Sequence, residues 1–306
     1  MSPPRWAAER PSDTTRAATL IAAAFPALRG RPVEPLAEGW DNTVFLVDGR
    51  WVFRFPRRRL ALPGFRRELT LLPRLAARLP LPVPEPEFVA DDDHPIDPWP
   101  FAGARLLPGR ELADAAVVDD ARHELAAALG ALLRVLHAAP TQQVATEALP
   151  LDPMSRGWPR AWTDDTRAQV RELIEQGTWP GDAAVEALLD EAERLDAPAR
   201  APVLAHGDLH VRHLLVDDEA SAAGVIDWGD ACLADPAVDI SLAYTAFTGT
   251  ARKAFFDTYG EVDADRELRA RALGVRLSAL LAAYAVAVQR AALRVEALAG
   301  LRRVVA

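Results

Sequence analysis

The stretch HGDLHVRHLLVD at 206–217, followed by VIDWGD at 225–230, decides the fold of this chain of 306 residues. Asp208 stands five residues before His213, and Asp227 follows fourteen residues after His213 within an apolar run. This order and spacing predict that two carboxylates and an imidazole meet at one site. We take these three residues as the candidate chemical centre of the chain.

The three side chains suit the transfer of a phosphoryl group to an alcohol. That reaction passes through a loose transition state, so the protein mainly positions the hydroxyl and neutralises phosphate charge through Mg²⁺. We expect Asp208 to accept a hydrogen bond from the acceptor hydroxyl, and Asp227 to give Mg²⁺ a hard oxygen ligand. We expect His213 to be the second ligand of Mg²⁺.

The HGD triplet alone would also suit a turn at a strand end, but both motifs together, in order, favour a kinase-like site. They resemble the motifs of the aminoglycoside phosphotransferase family, which also includes macrolide, choline and homoserine kinases. Family members read HGDLHxxN and then IDW or IDF, so Asp208 and Asp227 match. His213 replaces the usual Asn, as it does in the macrolide kinases that this chain resembles. The resemblance runs from Gly39 to about Tyr244.

The resemblance implies an α+β, two-lobed protein-kinase-like fold, with a small antiparallel-sheet N-lobe and a larger, mainly helical C-lobe. We expect the N-terminal nucleotide-binding lobe at 1–104 and the catalytic and acceptor-binding lobe at 105–306. The segment PWPFAGARLLPGREL at 98–112 is punctuated by proline and glycine, which predicts a hinge near 100–107.

A predicted hairpin gives independent support from the N-terminal part. VFLVDGRWVFRFP at 44–56 reads as two strands joined through Asp48–Gly49. Val52 and Arg54 share one face of the second strand. In the kinase pattern VAIK, the corresponding apolar residue packs on adenine and the Lys reaches the phosphates. Because Lys253 is the only lysine, we expect Arg54 to take that role, with an ordinary exposed strand residue as the alternative.

A helix is predicted to follow the hairpin. The segment FRRELTLLPRLAARL at 65–79 has leucines at helical spacing, and Pro73 should kink or divide it. Glu68 is the expected ion-pair partner that holds Arg54 over the nucleotide. A solvated acidic residue is the alternative for Glu68.

Two further stretches are expected to contact the nucleotide. AEGWDNTV at 37–44 is the candidate loop over the phosphates, where Gly39 permits close backbone approach, although an ordinary turn suits these residues equally. The resemblance implies that backbone groups from Phe101 to Leu106 hold adenine. It implies ATP or GTP as donor and leaves the choice between them open.

The acceptor pocket is expected in the C-terminal lobe. The resemblance places it in the segment 150–199, where Trp158 and Trp162 either stack on the acceptor or pack in the core. Asp230 and Asp235, which follow Asp227 closely in the sequence, are candidates for binding substrate amines. Asp239 is expected to brace the catalytic loop instead.

Composition limits the partners. A formal charge of −9 and a pI near 5.3 argue against nucleic acid and are compatible with a cationic small-molecule acceptor. The single cysteine, Cys232, excludes an intrachain disulfide, suits a reducing cytoplasm and is expected to be buried and inert. No secretory signal is recognisable, and the uncharged stretch at 277–289 is too short to span a bilayer. We therefore expect a cytoplasmic protein with no membrane partner.

The sequence thus predicts an NTP-dependent O-phosphotransferase. It would move a γ-phosphoryl group to a hydroxyl of an aminoglycoside, macrolide or similar basic natural product, as in antibiotic inactivation. Two alternatives stay open: a metabolic kinase of the choline, homoserine or sugar type, and a catalytically inactive nucleotide-binding protein. The second is motivated by the departures at Arg54 and His213.

Overall fold

A five-stranded antiparallel sheet forms the centre of the first of two units in this computed structural model, which describes residues 8–39, 41–91, 98–139, 144 and 149–306. The first unit includes the chain up to Ala77 and the segment Val83–Leu107. The strands lie in the order β1, β2, β3, β5, β4. Their bounds are β1 Val33–Glu38, β2 Asn42–Val47, β3 Trp51–Pro56, β4 Pro86–Ala90 and β5 Phe101–Arg105.

The β2–β3 hairpin forms where the sequence predicts it. Asp48 and Gly49 have φ values of 55° and 62°, and the Arg50 N–H donates to the Val47 carbonyl at 3.0 Å. Two successive residues with positive φ give the turn whose twist matches a two-residue hairpin. Strand β3 follows this turn with Phe53 in the core and with Val52 and Arg54 on the opposite face.

Aromatic rings fill the core on one side of the sheet. Phe55 and Phe101 stack with centroids 4.7 Å apart, and helix α1, Thr14–Ala24, contributes buried apolar side chains to the same cluster. Gly103 pairs with Phe53 across β3 and β5, and a Cβ at Gly103 would collide with the Phe53 ring. Each buried aromatic side chain stabilises the unit by roughly 2–3 kcal/mol.

Helix α2 spans Leu62–Leu75, so the prediction of a helix over 65–79 was wrong at both ends. The helix ends two residues after Pro73, which has no N–H to donate to the carbonyl one turn earlier. Leu79 is buried outside the helix. The face that includes Glu68 is turned inward.

The second unit comprises Arg78–Pro82, Pro108–Val144 and Ala148–Ala306, and most of its described residues are helical. Its helices are α3 His123–His137, α4 Thr163–Glu175, α5 Ala183–Ala192, α6 Ala237–Ala246, α7 Gly249–Tyr259, α8 Ala264–Ala287 and α9 Ala291–Arg303. One small sheet pairs β6 Arg110–Glu111, β8 Leu214–Val216 and β9 Ala222–Val225; another pairs β7 Val203–Ala205 and β10 Cys232–Ala234. These short strands carry the two sequence motifs between them.

Helix α8 has the length and apolar composition of a membrane span, alone among the described helices. However, 61% of its apolar window is buried inside the protein, where it packs against α6 and α9. The alanine-rich face lets neighbouring helices approach closely. Its burial is that of a core helix.

A buried ion network ties the start of α3 to α9. Arg122 donates to Glu296 at 2.7 Å, and Arg303 donates to the same carboxylate at 2.8 Å. Arg303 also donates to Asp119 at 2.7 Å. The two guanidinium groups together satisfy a carboxylate that would be costly to bury alone.

Candidate active site

Asp239, at the first turn of α6, fixes the start of the catalytic loop between β7 and β8. Its buried carboxylate accepts hydrogen bonds from the backbone N–H groups of His206, at 2.7 Å, and Gly207, at 3.0 Å. His137 Nε2 lies 3.2 Å from the same carboxylate. Burial opposes the charged form, but the hydrogen bonds from His137 and from the Gly207 backbone help to outweigh it, and the pKa of Asp239 is lowered. The predicted bracing role of Asp239 is confirmed.

Gly207 and His206 join the loop between β7 and β8 to the loop between β9 and β10, which carries Asp227. Gly207 has a φ of 89°, and a Cβ there would collide with the Asp230 carbonyl. His206 Nε2 donates to the Ile226 carbonyl at 3.0 Å, while its Nδ1 accepts from the Asp208 N–H at 3.3 Å. Burial lowers the pKa of His206, so the ring stays neutral in this arrangement. A glycine is therefore required where the two loops touch.

The two carboxylate oxygens of Asp208 lie at different distances from their positively charged or imidazole neighbours. Its Oδ1 lies 2.9 Å from Arg156 Nη2, and its Oδ2 lies 3.7 Å from His210 Nε2, outside ordinary hydrogen-bond range. The side chain keeps 25% of its exposure. Burial raises the pKa of Asp208, and the Arg156 charge opposes that effect. The carboxylate can accept a hydrogen bond from an approaching hydroxyl.

His213 and Asp227 form the second half of the centre. His213 Nδ1 lies 2.8 Å from the Asp208 carbonyl, which can only accept, so Nδ1 carries the proton. In a neutral ring, Nε2 then turns a lone pair towards Asp227 Oδ2, 3.3 Å away. Burial disfavours the imidazolium, but the hydrogen bond and charge of Asp227, with the Asp208 charge, raise the pKa of His213. The lone pairs of His213 Nε2 and Asp227 Oδ2 repel each other unless a proton or a cation lies between the two atoms.

This pair of ligand atoms fits Mg²⁺. Neighbouring ligands of an octahedral Mg²⁺, with bonds of about 2.1 Å, lie roughly 3 Å apart. Asp227 is 52% exposed, and its φ of 66° directs the carboxylate from a left-handed backbone position. The imidazole is softer than the oxygen ligands that Mg²⁺ prefers, so Asp227 would be the stronger ligand of the two.

His210 is a third imidazole that sequence reasoning missed as part of the site. Its ring stacks on His213 with centroids 3.8 Å apart, and its Nδ1 accepts from the Arg212 N–H at 3.3 Å. Burial and the neighbouring positive groups hold the pKa of His210 well below its usual value. Ligand atoms of Asp208, His210 and His213 lie within 4.8 Å of one another, as in a metal-binding group. A loop has no fixed side-chain period, so the motif did not show this convergence.

Arg156 is the other site residue that the sequence did not indicate. It lies fifty-two residues before Asp208 and ion-pairs with both Asp208 and Asp230. No local pattern marks it, because its contact depends on the path of the chain. Cys232 lies beside Gly207, where a Cβ would be 3.3 Å from the Cys232 Sγ. Burial raises the pKa of the Cys232 thiol to about 12, as expected for an inert cysteine.

The predicted acceptor-binding residues occupy different environments. Asp230 ion-pairs with Arg156 at 2.8 Å, and Asp235 ion-pairs with Arg266 at 3.2 Å. Trp162 is buried and its indole N–H donates to the Ser155 carbonyl at 3.0 Å, which is the packing alternative. Trp158 is exposed at the surface of the second unit.

The predicted nucleotide residues of the first unit lie on β3, α2 and the β1–β2 turn. Arg54 and Glu68 form the predicted ion pair at 2.5 Å, with Glu68 almost fully buried. Val52 lies on the same strand face as Arg54 and pairs with Ala104. These contacts place the guanidinium on a rigid strand, held by a helix.

The other three residues that were predicted to contact the nucleotide are Gly39, Phe101 and Leu106. Gly39 donates its N–H to the Asn42 carbonyl at 2.9 Å, and a Cβ there would meet nothing closer than 3.7 Å within the described structure. The Phe101 side chain is buried in the aromatic core, and Leu106 is exposed. Phe101 can therefore offer a ligand only its backbone.

Comparisons with known proteins show the family and the fold of this chain. The profile of the phosphotransferase enzyme family (APH) matches residues 32–273. The GDP and kanamycin complex of APH(2″)-IIIa is 24% identical, with coverage of 94% of this chain and 97% of that chain and a TM-score of 0.66. The apoenzyme of macrolide 2′-phosphotransferase MphH from Brachybacterium faecium is 26% identical, with coverage of 93% and 97% and a TM-score of 0.59. The predicted fold, a sheet-based N-terminal lobe and a helical C-terminal lobe, is confirmed.

One curated relative matches over a shorter stretch. The uncharacterized protein YcbJ of Bacillus subtilis (strain 168) is 33% identical over 93 residues, which is 30% of this chain. The matched stretch spans 29% of the length of that relative.

Proposed function

Because the chain belongs to the phosphotransferase enzyme family (APH), we propose that it transfers the γ-phosphoryl group of ATP or GTP to a hydroxyl of a small molecule. The observation that carries this proposal is the convergence of Asp208, His213 and Asp227 within one loop pair. Phosphoryl transfer needs a carboxylate for the acceptor hydroxyl beside ligands for a divalent cation, and these three residues supply both.

Asp208 orients the acceptor in this proposal. Arg156 holds Oδ1, so Oδ2 is the oxygen that accepts the hydrogen bond from the acceptor hydroxyl and receives its proton late in the transfer. His213 donates its Nδ1 proton to the Asp208 carbonyl, which fixes the imidazole relative to the backbone of the reacting residue. Mg²⁺ held by His213 and Asp227 would neutralise charge on the phosphates.

Arg54 is proposed to hold donor phosphates, with Glu68 fixing its direction. A guanidinium offers paired donors that match phosphate oxygens, so the replacement of Lys preserves the charge. We assign the adenine or guanine contact to Val52 and to backbone groups between Phe101 and Leu106, and the phosphate-covering turn to Gly39. GDP in one similar structure supports a nucleotide donor.

An aminoglycoside, macrolide or similar basic natural product is the proposed acceptor class. The support is structural: kanamycin is bound in one similar structure, and another is a macrolide 2′-phosphotransferase. A choline-like, homoserine-like or sugar acceptor would use the same three residues, so the acceptor has to be measured.

The test is mass spectrometry of an acceptor panel incubated with the protein, Mg²⁺ and either ATP or GTP. The panel contains aminoglycosides, macrolides, choline and homoserine. We expect one phosphoryl group on one acceptor, and loss of at least about a thousandfold in rate for Asp208→Asn because the hydroxyl loses its carboxylate partner.

Asp218→Asn is the matched control, because Asp218 is exposed and pairs only with Arg110 in the contacts described. It should transfer at the normal rate. Transfer by Asp208→Asn at the rate of this control would contradict the assigned role.

A further inference from the structure

Arg156 places a positive charge of the chain itself among the acidic groups beside the reacting carboxylate. Its Nη2 lies 2.9 Å from Asp208 Oδ1 and 2.8 Å from Asp230 Oδ2. Its Nη1 donates to the Gly207 carbonyl at 2.8 Å. One guanidinium therefore contacts the Asp208 carboxylate, the backbone of the loop between β7 and β8, and Asp230 in the loop between β9 and β10.

The segment that carries Arg156 is fixed to the second unit. Asp152 accepts from the N–H groups of Arg156, at 2.8 Å, and Gly157, at 2.7 Å. The Asp152 N–H donates to the carbonyl of Leu233, in β10, at 2.8 Å. The guanidinium is thus anchored through both its backbone and its head group, and its contacts require little loss of freedom when an acceptor binds.

Asp235, the other acidic residue predicted to bind a substrate amine, is also paired with an arginine of the protein. Asp235 is largely buried and ion-pairs with Arg266 at 3.2 Å. Burial disfavours the charged form of Arg156, but the charges of Asp208 and Asp230 outweigh that effect and raise its pKa. Asp208, Asp230 and Asp235 therefore each have an arginine, a permanently charged cation, as a partner.

Apolar side chains flank Arg156 in sequence and are open to solvent. Leu151, Met154 and Trp158 are all exposed, within seven residues of one another. Exposed apolar residues grouped near polar groups are typical of surfaces that receive a ligand. In the proposal below, this stretch would contact an uncharged face of the acceptor.

We propose that Arg156 selects the acceptor by charge, because its guanidinium takes the place between Asp208 and Asp230 that a substrate ammonium would occupy. The acceptor then presents its reactive hydroxyl from an uncharged face, and any amine it carries lies away from these two carboxylates. Arg156 is a positioning residue for Asp208 as well, since it leaves Oδ2 for the hydroxyl. The proposal rests on the proposed function for the role of Asp208.

The test compares two small probes that share a ring. One is 2-deoxystreptamine, which carries two ammonium groups, and the other is scyllo-inositol, which carries hydroxyls only. Binding to the full-length protein is measured by calorimetry and by the shift in Tm, without nucleotide. We expect the wild-type protein to bind the diamine less than tenfold more tightly than scyllo-inositol. Arg156→Gln should bind the diamine at least about tenfold more tightly than scyllo-inositol, because Asp208 and Asp230 lose the cation that they share.

Three further variants make the comparison decisive. Arg156→Lys keeps a cation and should bind the probes as the normal protein does, and Arg160→Gln changes an exposed arginine of the same segment and should do the same. If Arg156→Gln does not fold, Arg156→Gln with Asp230→Asn removes the unpaired charge, and its diamine preference should still rise about threefold. An Arg156 variant with no gain in diamine preference, or a normal protein that already prefers the diamine tenfold, would overturn the proposal.

Catalysis gives a separate readout once the acceptor screen has identified an acceptor. Arg156→Gln should lower kcat, because Asp208 is no longer oriented, and lower KM for amine-bearing acceptors relative to neutral ones. A purely structural role would change Tm and leave this KM ratio unchanged. If the normal protein phosphorylates no acceptor, the proposed function fails, whereas the probe comparison still decides the charge selection.

Discussion

Asp227 carries its carboxylate on a backbone that most side chains avoid, with a φ of 66°. Asp and Asn tolerate this region better than other residues, yet glycine alone adopts it without steric cost. In the proposed function this residue supplies an oxygen ligand, while its backbone position would favour a glycine. The proposed metal binding and the local conformational preference therefore conflict at this residue.

Replacing Asp227 separates the two effects. Asp227→Gly and Asp227→Ala both remove the carboxylate, so both should abolish transfer. Asp227→Gly should nevertheless be more stable than Asp227→Ala by about 1 kcal/mol in the free energy of unfolding, because only the alanine retains a Cβ at positive φ. Urea denaturation of the two variants measures the difference. Equal stability would show that the left-handed position costs nothing.

Buried histidines predict how stability depends on pH. Burial lowers the pKa of His206 and His210, so below about pH 6.5 the unfolded chain takes up protons that the folded chain resists. Their stabilisation is complete above about pH 6.5 and is lost as the pH falls towards the folded pKa values. His213, whose pKa is raised, acts in the opposite direction and loses its contribution as the pH rises.

Because His206 and His210 lose their contribution only below about pH 6.5, where that of His213 is already fully present, we expect the free energy of unfolding to fall as the pH is lowered from about 6.5. His206→Gln keeps a donor for the Ile226 carbonyl and should weaken this dependence, as measured by urea unfolding at several pH values. A variant with the same pH dependence as the normal protein would show that His206 does not contribute.

Individual site residues were predictable where a motif carries them. Asp208, His213 and Asp227 lie in contiguous, apolar-flanked loops whose order signals the chemistry, and the structure brings them together. Arg156 and His210 were not identified as site residues. A long-range ion pair leaves no trace in local periodicity, and a loop side chain has no regular direction that spacing could reveal.

Strand β3 and helix α2 hold the Arg54–Glu68 pair as one structural element. Arg54→Ala should lower the free energy of unfolding by about 3 kcal/mol, because the buried Glu68 carboxylate loses this cation. Arg54→Met with Glu68→Leu should recover most of the stability, because a well-packed apolar pair can replace a buried ion pair.

Nucleotide titration then separates stability from binding. Neither Arg54→Ala nor the apolar double variant should bind ATP or GTP as tightly as the normal protein, whereas Arg54→Lys should retain part of the affinity. Full nucleotide affinity in the stable double variant would make Arg54 an ordinary structural residue.

At the level of elements, turn chemistry was more informative than helix periodicity. Asp48–Gly49 specifies its hairpin because both residues accept positive φ. The end of α2 was mispredicted because leucine spacing continues past Pro73, and the pattern of side chains does not record a missing N–H. Periodicity reports which face is buried, whereas the backbone decides where a helix stops.

The second unit depends on contacts between distant parts of the chain. Arg122 and Arg303 enclose the Glu296 carboxylate, although Arg122 and Glu296 are separated by 174 residues. Glu296→Ala should lower the free energy of unfolding by about 3–5 kcal/mol, since two buried guanidinium groups lose their shared partner. Thermal unfolding measures the effect.

Arg110→Ala is the control for that experiment, because it removes an exposed ion pair of the same unit. It should change stability by less than about 1 kcal/mol. A Glu296 variant as stable as this control would show that the network does not hold α3 and α9 together.

The whole-molecule layout followed from the sequence only in outline. A sheet-rich beginning and a helical remainder were readable from periodicity and from the resemblance of the motifs. The network of Arg122 and the docking of Arg156 were not readable, because both depend on how α3, α9 and the loop before α4 meet in space.

The left-handed backbone at Asp227 also bears on how such a protein would change over generations. If selection for transfer were relaxed, a change to Gly or Asn at this position would improve the local backbone conformation at once, whereas a change at Asp208 would remove one of the two carboxylates that pair with Arg156. Drifting descendants should therefore lose Asp227 first. The residue at this position then becomes a marker, readable from sequence alone, of whether a related chain is still under selection for catalysis.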